Sequence, residues 1–248
     1  VILIKNAEEI VAMQEAGRIS ALALKVVENA IKPGITTAQL DKLIHDAIVS
    51  EGAQPNFLGL YGFPASACIS INDELIHGIP GPRKIKDGDV VSIDVGAVKN
   101  GYHGDNAYTF AVGNVAEETL KLLRVTQEAL GLGIKAAQVG ARIGDIGNAV
   151  QQHAESNGFS VVREYVGHGV GKALHEEPEV PNFGTAGRGI RLVPGMTIAI
   201  EPMINAGVPD VYVLDDGWTV KTKDGAPCAH FEHTIAITKD GPLILTKV

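Results

Sequence analysis

From Asn6 to Ala30 the apolar positions fall three and four apart, the repeat of one buried helix face. Asn6 with Glu9 three positions on reads as the cap of that helix, and Pro33-Gly34 stops it. A second helix is expected over residues 36 to 52, where Thr36 with Gln39 resembles a capping box and Gly52 is the end signal. Its apolar stripe is Leu40, Leu43, Ile44, Ala47 and Ile48. Alternation of period two then takes over, so residues 67 to 72 and 89 to 112 read as strands. Helices are predicted again at about 116 to 136 and 144 to 156, followed by strands near 159–166, 196–201, 211–214, 218–222, 230–238 and 242–246. The order helix, helix, strands occurs twice.

The two occurrences also resemble each other residue by residue. KPGITTAQLDKLIHDAIVSEG (32–52) aligns with QVGARIGDIGNAVQQHAESNG (138–158), matching Gly34 with Gly140, Leu40 with Ile146, Ile44 with Val150 and Gly52 with Gly158. Further on, Asp94 lies six residues after Gly88, as Glu201 lies six after Gly195, each acid near the end of an apolar run. This pattern predicts one domain over 1–248, built from pseudo-symmetric halves of about 1–112 and 113–248, with the acids meeting at the interface between them. No linker or low-complexity tract interrupts it.

Composition narrows the function classes. A net charge of -8 without a run of Lys or Arg argues against a nucleic-acid surface. No apolar stretch is long enough to cross a bilayer, and VILIKNAEEIV lacks the basic start and cleavage site of a secretory leader. Cys68 and Cys228 are too few for a disulfide framework or a thiolate zinc site, so a cytoplasmic setting is expected.

The chemistry begins with acids where strands are expected. In SIDVGAVKNGYHGDNAYTF (92–110), Asn100-Gly101 between alternating runs is a strong signal for a two-residue hairpin turn. Counting outward sets Lys99 against Tyr102, Asp94 against Ala107 and Asp105 against Gly96, on one face and roughly 7–8 Å apart. Adjacent carboxylates repel unless a proton or a cation sits between them. Glu201 and Glu232, the latter on the Thr234 face of HFEHTIAIT, add two more acids inside apolar strands. Burying four such charges costs several kcal/mol each without compensation, so together they point to a cationic centre. His168 and His175 in the glycine-rich GHGVGKALHEEP, and His77 in NDELIHGIPG, are imidazoles that suit either a ligand or a hydrogen-bonded structural role.

The motifs HGIPG, SIDVG, GYHGDNAYTF, GHGVGKALHEEP, IEPM, DGWTVKTKDG and FEHTIAIT resemble, in order and over essentially the whole chain, those of the type I methionine aminopeptidases. The resemblance implies the α+β pita-bread fold, a curved antiparallel sheet covered by two helix pairs. It implies five metal ligands, Asp94, Asp105, His168, Glu201 and Glu232, with Asp105 and Glu232 bridging two divalent ions. One imidazole among hard carboxylates suits Mn, Fe, Co or Zn. Aminopeptidases are among the standard two-metal hydrolases, in which a bridging water deprotonated near neutral pH attacks the scissile carbonyl. By the same resemblance Glu201 also shuttles the water's proton to the leaving amine, His175 holds the developing oxyanion and His77 positions the scissile amide nitrogen. The implied activity is removal of the N-terminal methionine from nascent proteins and peptides with a small second residue, in the cytoplasm, by a monomer that contacts the ribosome and neither DNA nor membrane.

Family positions for the methionine side chain fall on Phe57, Leu60, Phe63, Cys68, Leu174 and Trp218, where sulfur–aromatic contact contributes about 0.3–1.5 kcal/mol. Aromatic residues are common in the family at the positions of Leu60 and Leu174, which predicts a wider and less strict pocket here. Cys228 stands where a serine often helps hold a monovalent cation, which puts that auxiliary site in doubt. Prolidases and Xaa-Pro aminopeptidases share the ligand set but carry a large additional amino-terminal domain, which a first repeat beginning at residue 6 leaves no room for. Type II methionine aminopeptidases insert a helical subdomain where only thirty residues separate Glu201 from Glu232, and no cysteine- and histidine-rich extension of the kind some eukaryotic relatives carry is present. A non-catalytic peptide-binding relative would be expected to have lost ligands; all five are here.

Overall fold

The structure is a computed structural model describing residues 1–248. Four helices form: α1 (Ala7–Ala30), α2 (Thr37–Ser50), α3 (Glu117–Ala136) and α4 (Ile143–Ser156). Both predicted capping boxes close, Asn6 Oδ1 accepting from the Glu9 amide at 2.9 Å and Thr36 Oγ1 from the Gln39 amide at 3.1 Å. Leu40, Ile44, Ile146 and Val150, the matched stripe residues, are all fully buried.

The helix pairs pack on a nine-stranded antiparallel sheet. Along it run Gln54–Pro55, Val90–Lys99, Tyr102–Ala111, Glu232–Thr238, Thr197–Ile200, Gly167–Gly169 and Glu176–Val180, with Ala67–Ile71 beside the second and Gly241–Ile244 beside the fourth. Two small three-stranded sheets flank it: Cys228–His230, Met203–Asn205 and Ser160–Val161 in one, Val211–Val213, Val220–Thr222 and Glu74–Ile76 in the other. One apolar core lies under α1 and α2, around Ile19, Ile44, Ile69 and Ile93; another lies under α3 and α4, around Leu122, Ile146, Ile198 and Ile235. This is the α+β pita-bread arrangement.

The internal repeat extends to single hydrogen bonds. Gly34 N–H donates to Ile85 O and Gly140 N–H to Leu192 O; Thr36 bridges Lys84 as Arg142 bridges Arg191. Gly88 (φ 91°) and Gly195 (φ 92°) turn the chain identically before the strands that lead to Asp94 and Glu201. Within the main sheet the two halves join only where Ala107 pairs with Glu232 and Asn106 with His233.

Two expectations need correction. Residues 159–166 yield strand only at Ser160–Val161, because the chain then leaves the sheet and brings Tyr165 and Val166 to the central cavity. Residues 230–238 are not one strand: the chain changes sheets at Phe231, Cys228–His230 pairing with Met203–Asn205 before Glu232–Thr238 enters the main sheet. Within the glycine-rich segment, Gly167–Gly169 and Glu176–Val180 pair with each other.

Candidate active site

The hairpin predicted around Asn100-Gly101 forms, both residues being left-handed (φ 52° and 79°) as a type I′ turn requires. Its register sets Lys99 against Tyr102, Asp94 against Ala107 and Asp105 against Gly96. Asp94 and Asp105 therefore share the inner face. Glu232 joins from the next strand, directly across from Ala107. Thr234 Oγ1 locks that junction, accepting from the Asp105 amide at 3.0 Å and donating to the Asp105 carbonyl at 2.8 Å. At Gly96, opposite Asp105, a Cβ would lie 2.0 Å from Asn56 Oδ1, so any side chain there requires Asn56 to move.

Asp105, Glu201 and Glu232 are buried at 3%, 9% and 0% exposure, yet Asp94 Oδ1, Asp105 Oδ1 and both carboxylate oxygens of Glu232 have no hydrogen-bond partner. Such orphaned anions are costly unless a cation takes them up. His168 Nδ1 donates to the Gly169 carbonyl at 2.9 Å, which turns Nε2 towards Asp105 Oδ2 and Glu201 Oε1, each 3.4 Å away. That outer hydrogen bond is the usual device for presenting the other ring nitrogen to a metal. Donor atoms of Asp105, His168 and Glu232 lie within 4.8 Å of one another, as do those of Asp94, His230 and Glu232.

Electrostatics agree with a requirement for a cation. Burial, reinforced by Asp105, pushes the Asp94 carboxyl well above the usual carboxylate range; burial and the same neighbours do so for Glu232. Burial opposes the charge on Asp105 as well, but the His168 imidazole outweighs it and holds Asp105 low. On His168 burial is likewise overcome, by Asp105 and Glu201, raising it to about 9. The donor set, four carboxylates and an imidazole with unpaired oxygens, fits divalent metal.

Above this floor opens a cavity of about 610 Å³. His77 reaches it from the end of Glu74–Ile76 with its backbone in the left-handed region (φ 61°), a strained conformation for a non-glycine residue of the kind found at functional sites. Gly78 permits the approach, since a Cβ there would stand 2.1 Å from the Ile69 carbonyl. The His77 ring meets Tyr165 and Trp218 edge-on, with centroids 5.9 and 6.5 Å away, and burial lowers it to about 4. His175 packs against His168 at 4.4 Å, and burial lowers it too. The apolar wall is one cluster: Phe57, Phe63, Ala65, Cys68 and Leu174, with Leu60 and Trp218 packed on it. Phe63 and Trp218 lie 5.1 Å apart.

The residues expected from the sequence to hold metal, act on the peptide or receive the methionine side chain meet here. Asp94, Asp105, His168, Glu201, His77, His175, Phe57, Leu60, Phe63, Cys68, Leu174 and Trp218 line the cavity, and Glu232 lies buried beneath it. Tyr165, Met203 and His230 were not foreseen. His230, 1% exposed, sets Nε2 3.1 Å from Glu201 Oε2. Its signal was its place two positions before Glu232, hence on the same face of an extended chain. Cys228, away from the cavity, donates its thiol to the Asn72 carbonyl at 3.3 Å.

Comparison with known proteins agrees with the geometry. Residues 11–239 match the model of metallopeptidase family M24. The chain is 53% identical to the methionine aminopeptidase of Clostridium perfringens, covering all of this chain and 99% of that one. The methionine aminopeptidase structure from Thermotoga maritima superposes with a TM-score of 0.98 at 47% identity, with full coverage of both chains. A prolidase from Pyrococcus furiosus shares the fold at a TM-score of 0.80 and 26% identity, over 99% of this chain but 65% of that one. With the fold, the donor cluster and these likenesses in agreement, the chain belongs to metallopeptidase family M24, within its methionine aminopeptidase branch.

Proposed function

We propose that the chain removes the N-terminal methionine from nascent proteins and peptides with a small second residue, using two divalent ions held by Asp94, Asp105, His168, Glu201 and Glu232, with Asp105 and Glu232 shared between them. The observation that carries this reading is the set of unpaired, buried carboxylate oxygens beneath a cavity whose far wall is apolar and aromatic. Mn, Fe, Co or Zn fits the donors. When bound, such ions acidify a coordinated water and polarise the scissile carbonyl.

The protein's own groups do the rest. Glu201, at the mouth of the cluster, takes the water's proton and passes it to the departing amine. His175 and His77 are neutral at physiological pH because burial lowers both, so each offers an N–H without repelling the metals. His175 donates to the carbonyl oxygen as it gains charge, and His77 orients the scissile nitrogen. Phe57, Leu60, Phe63, Cys68, Leu174 and Trp218 receive the methionine side chain, and Leu60 and Leu174 leave the pocket wider than an aromatic pair would. No helix is long and apolar enough to cross a membrane. We place the enzyme in the cytoplasm as a monomer working near the ribosome on emerging chains, with no DNA partner.

Hydrolysis by metal-stripped protein resupplied in turn with Mn, Fe, Co and Zn tests the reading. Met-Ala peptides should be cleaved only with metal, Met-Lys and Xaa-Pro peptides hardly at all. Preference for Xaa-Pro would favour the prolidase alternative, and full activity without metal would refute the mechanism.

A further inference from the structure

We propose that His230 is a further ligand of the second divalent ion, beside Asp94 and the shared Asp105 and Glu232, so that each of the two metal positions includes one imidazole. This rests on the two-ion reading above, whose ligand set assigns the second position only carboxylates. Two clusters lie side by side here, Asp105, His168 and Glu232 in one and Asp94, His230 and Glu232 in the other, with donor atoms within 4.8 Å in each. Atoms bound to one ion at about 2.0–2.2 Å stand within such a span. In the second cluster Asp94 Oδ1 and both oxygens of Glu232 lack any partner, and His230 is 1% exposed.

The backbone holds His230 as a ligand needs to be held. Its N–H donates to Thr109 Oγ1 at 2.9 Å, Thr109 Oγ1 donates back to the His230 carbonyl at 2.8 Å, and Ser92 braces Thr109 at 2.8 Å. Ser92 is two residues from Asp94 on the same strand, so one clamp fixes both members of the cluster. The chain changes sheets at Phe231, so His230 and Glu232 reach the cluster from different sheets. The side chain's present partner is Glu201 Oε2 at 3.1 Å; on loading, the ring nitrogen exchanges that hydrogen bond for the ion. A second imidazole also shifts preference towards Zn, Co and Fe over Mn.

Zinc is the probe. Metal-free full-length protein is titrated with Zn²⁺ by calorimetry, and histidine ¹⁵N spectra are compared before and after saturation. Two ions should bind, and two imidazoles, His168 and His230, should move to zinc-coordinated positions, each signal assigned by its loss in His168→Gln or His230→Gln. His230→Gln should weaken the second binding step by about 100-fold or more, at or beyond the range for a residue that only supports a ligand, and leave the first within about twofold. The count of shifted imidazoles in the unmutated protein does not depend on how a variant folds. If two zinc ions bind and His168 alone shifts, His230 merely positions Glu201 and the proposal fails. If no zinc binds, the two-ion reading fails with it.

Discussion

At the scale of single residues the site is organised by what burial does to charge. Asp105 is the acid held ionised, by His168, while Asp94 and Glu232 are pushed towards their neutral forms. Asp105→Asn therefore removes the anion on which the others depend: metal measured by elemental analysis should fall below one equivalent and peptide hydrolysis should be lost, with the circular dichroism spectrum preserved. His77 sits outside the ligand cluster, so His77→Ala should lower kcat by about 100-fold or more, in the range of general acid–base groups, while metal content stays unchanged. Equal loss of both would contradict a role on the substrate side. Its lowered pKa also has a stability consequence. The unfolded chain takes up a proton near 6.5 and the folded chain only near about 4, so falling pH favours unfolding across that interval. Between pH 7 and 4 the unmutated protein should lose up to about 3 kcal/mol relative to His77→Gln, read from paired urea titrations.

Among the elements, the helices and the hairpin were legible because each is specified locally. Capping boxes at Asn6 and Thr36, the stripe of α2 and the Asn100-Gly101 turn all involve neighbours in sequence, and all form as expected. The short strands were not. Gly167–Gly169 and Cys228–His230 exist only because partners far along the chain supply their hydrogen bonds. The same holds for how α1 seats. A Cβ at Gly17 would lie 2.3 Å from the Leu245 carbonyl, and one at Gly104 would lie 2.6 Å from the Gly17 Cα. Gly17→Ala, harmless to an isolated helix by propensity, should destabilise the protein by about 1–3 kcal/mol by overpacking. A lower denaturation midpoint at unchanged m-value is the expected result.

For the molecule as a whole, metal and fold are linked. The unpaired carboxylates destabilise the empty protein, and an ion that binds only the folded state stabilises it by about 2.7 kcal/mol at a hundredfold excess over its Kd. Chelation should therefore lower Tm, Mn²⁺ or Co²⁺ should restore it in the unmutated protein, and Asp105→Asn should show little recovery. The sequence by itself determined the helices and the hairpin register, because these follow from periodicity and turn chemistry. It did not determine where the chain changes sheets, how Gly78 lets a strained His77 reach the cavity, or that His230 stands beside Glu201. Those were decided by tertiary structure, since each depends on atoms from segments distant in sequence competing for one space. No local pattern encodes that competition.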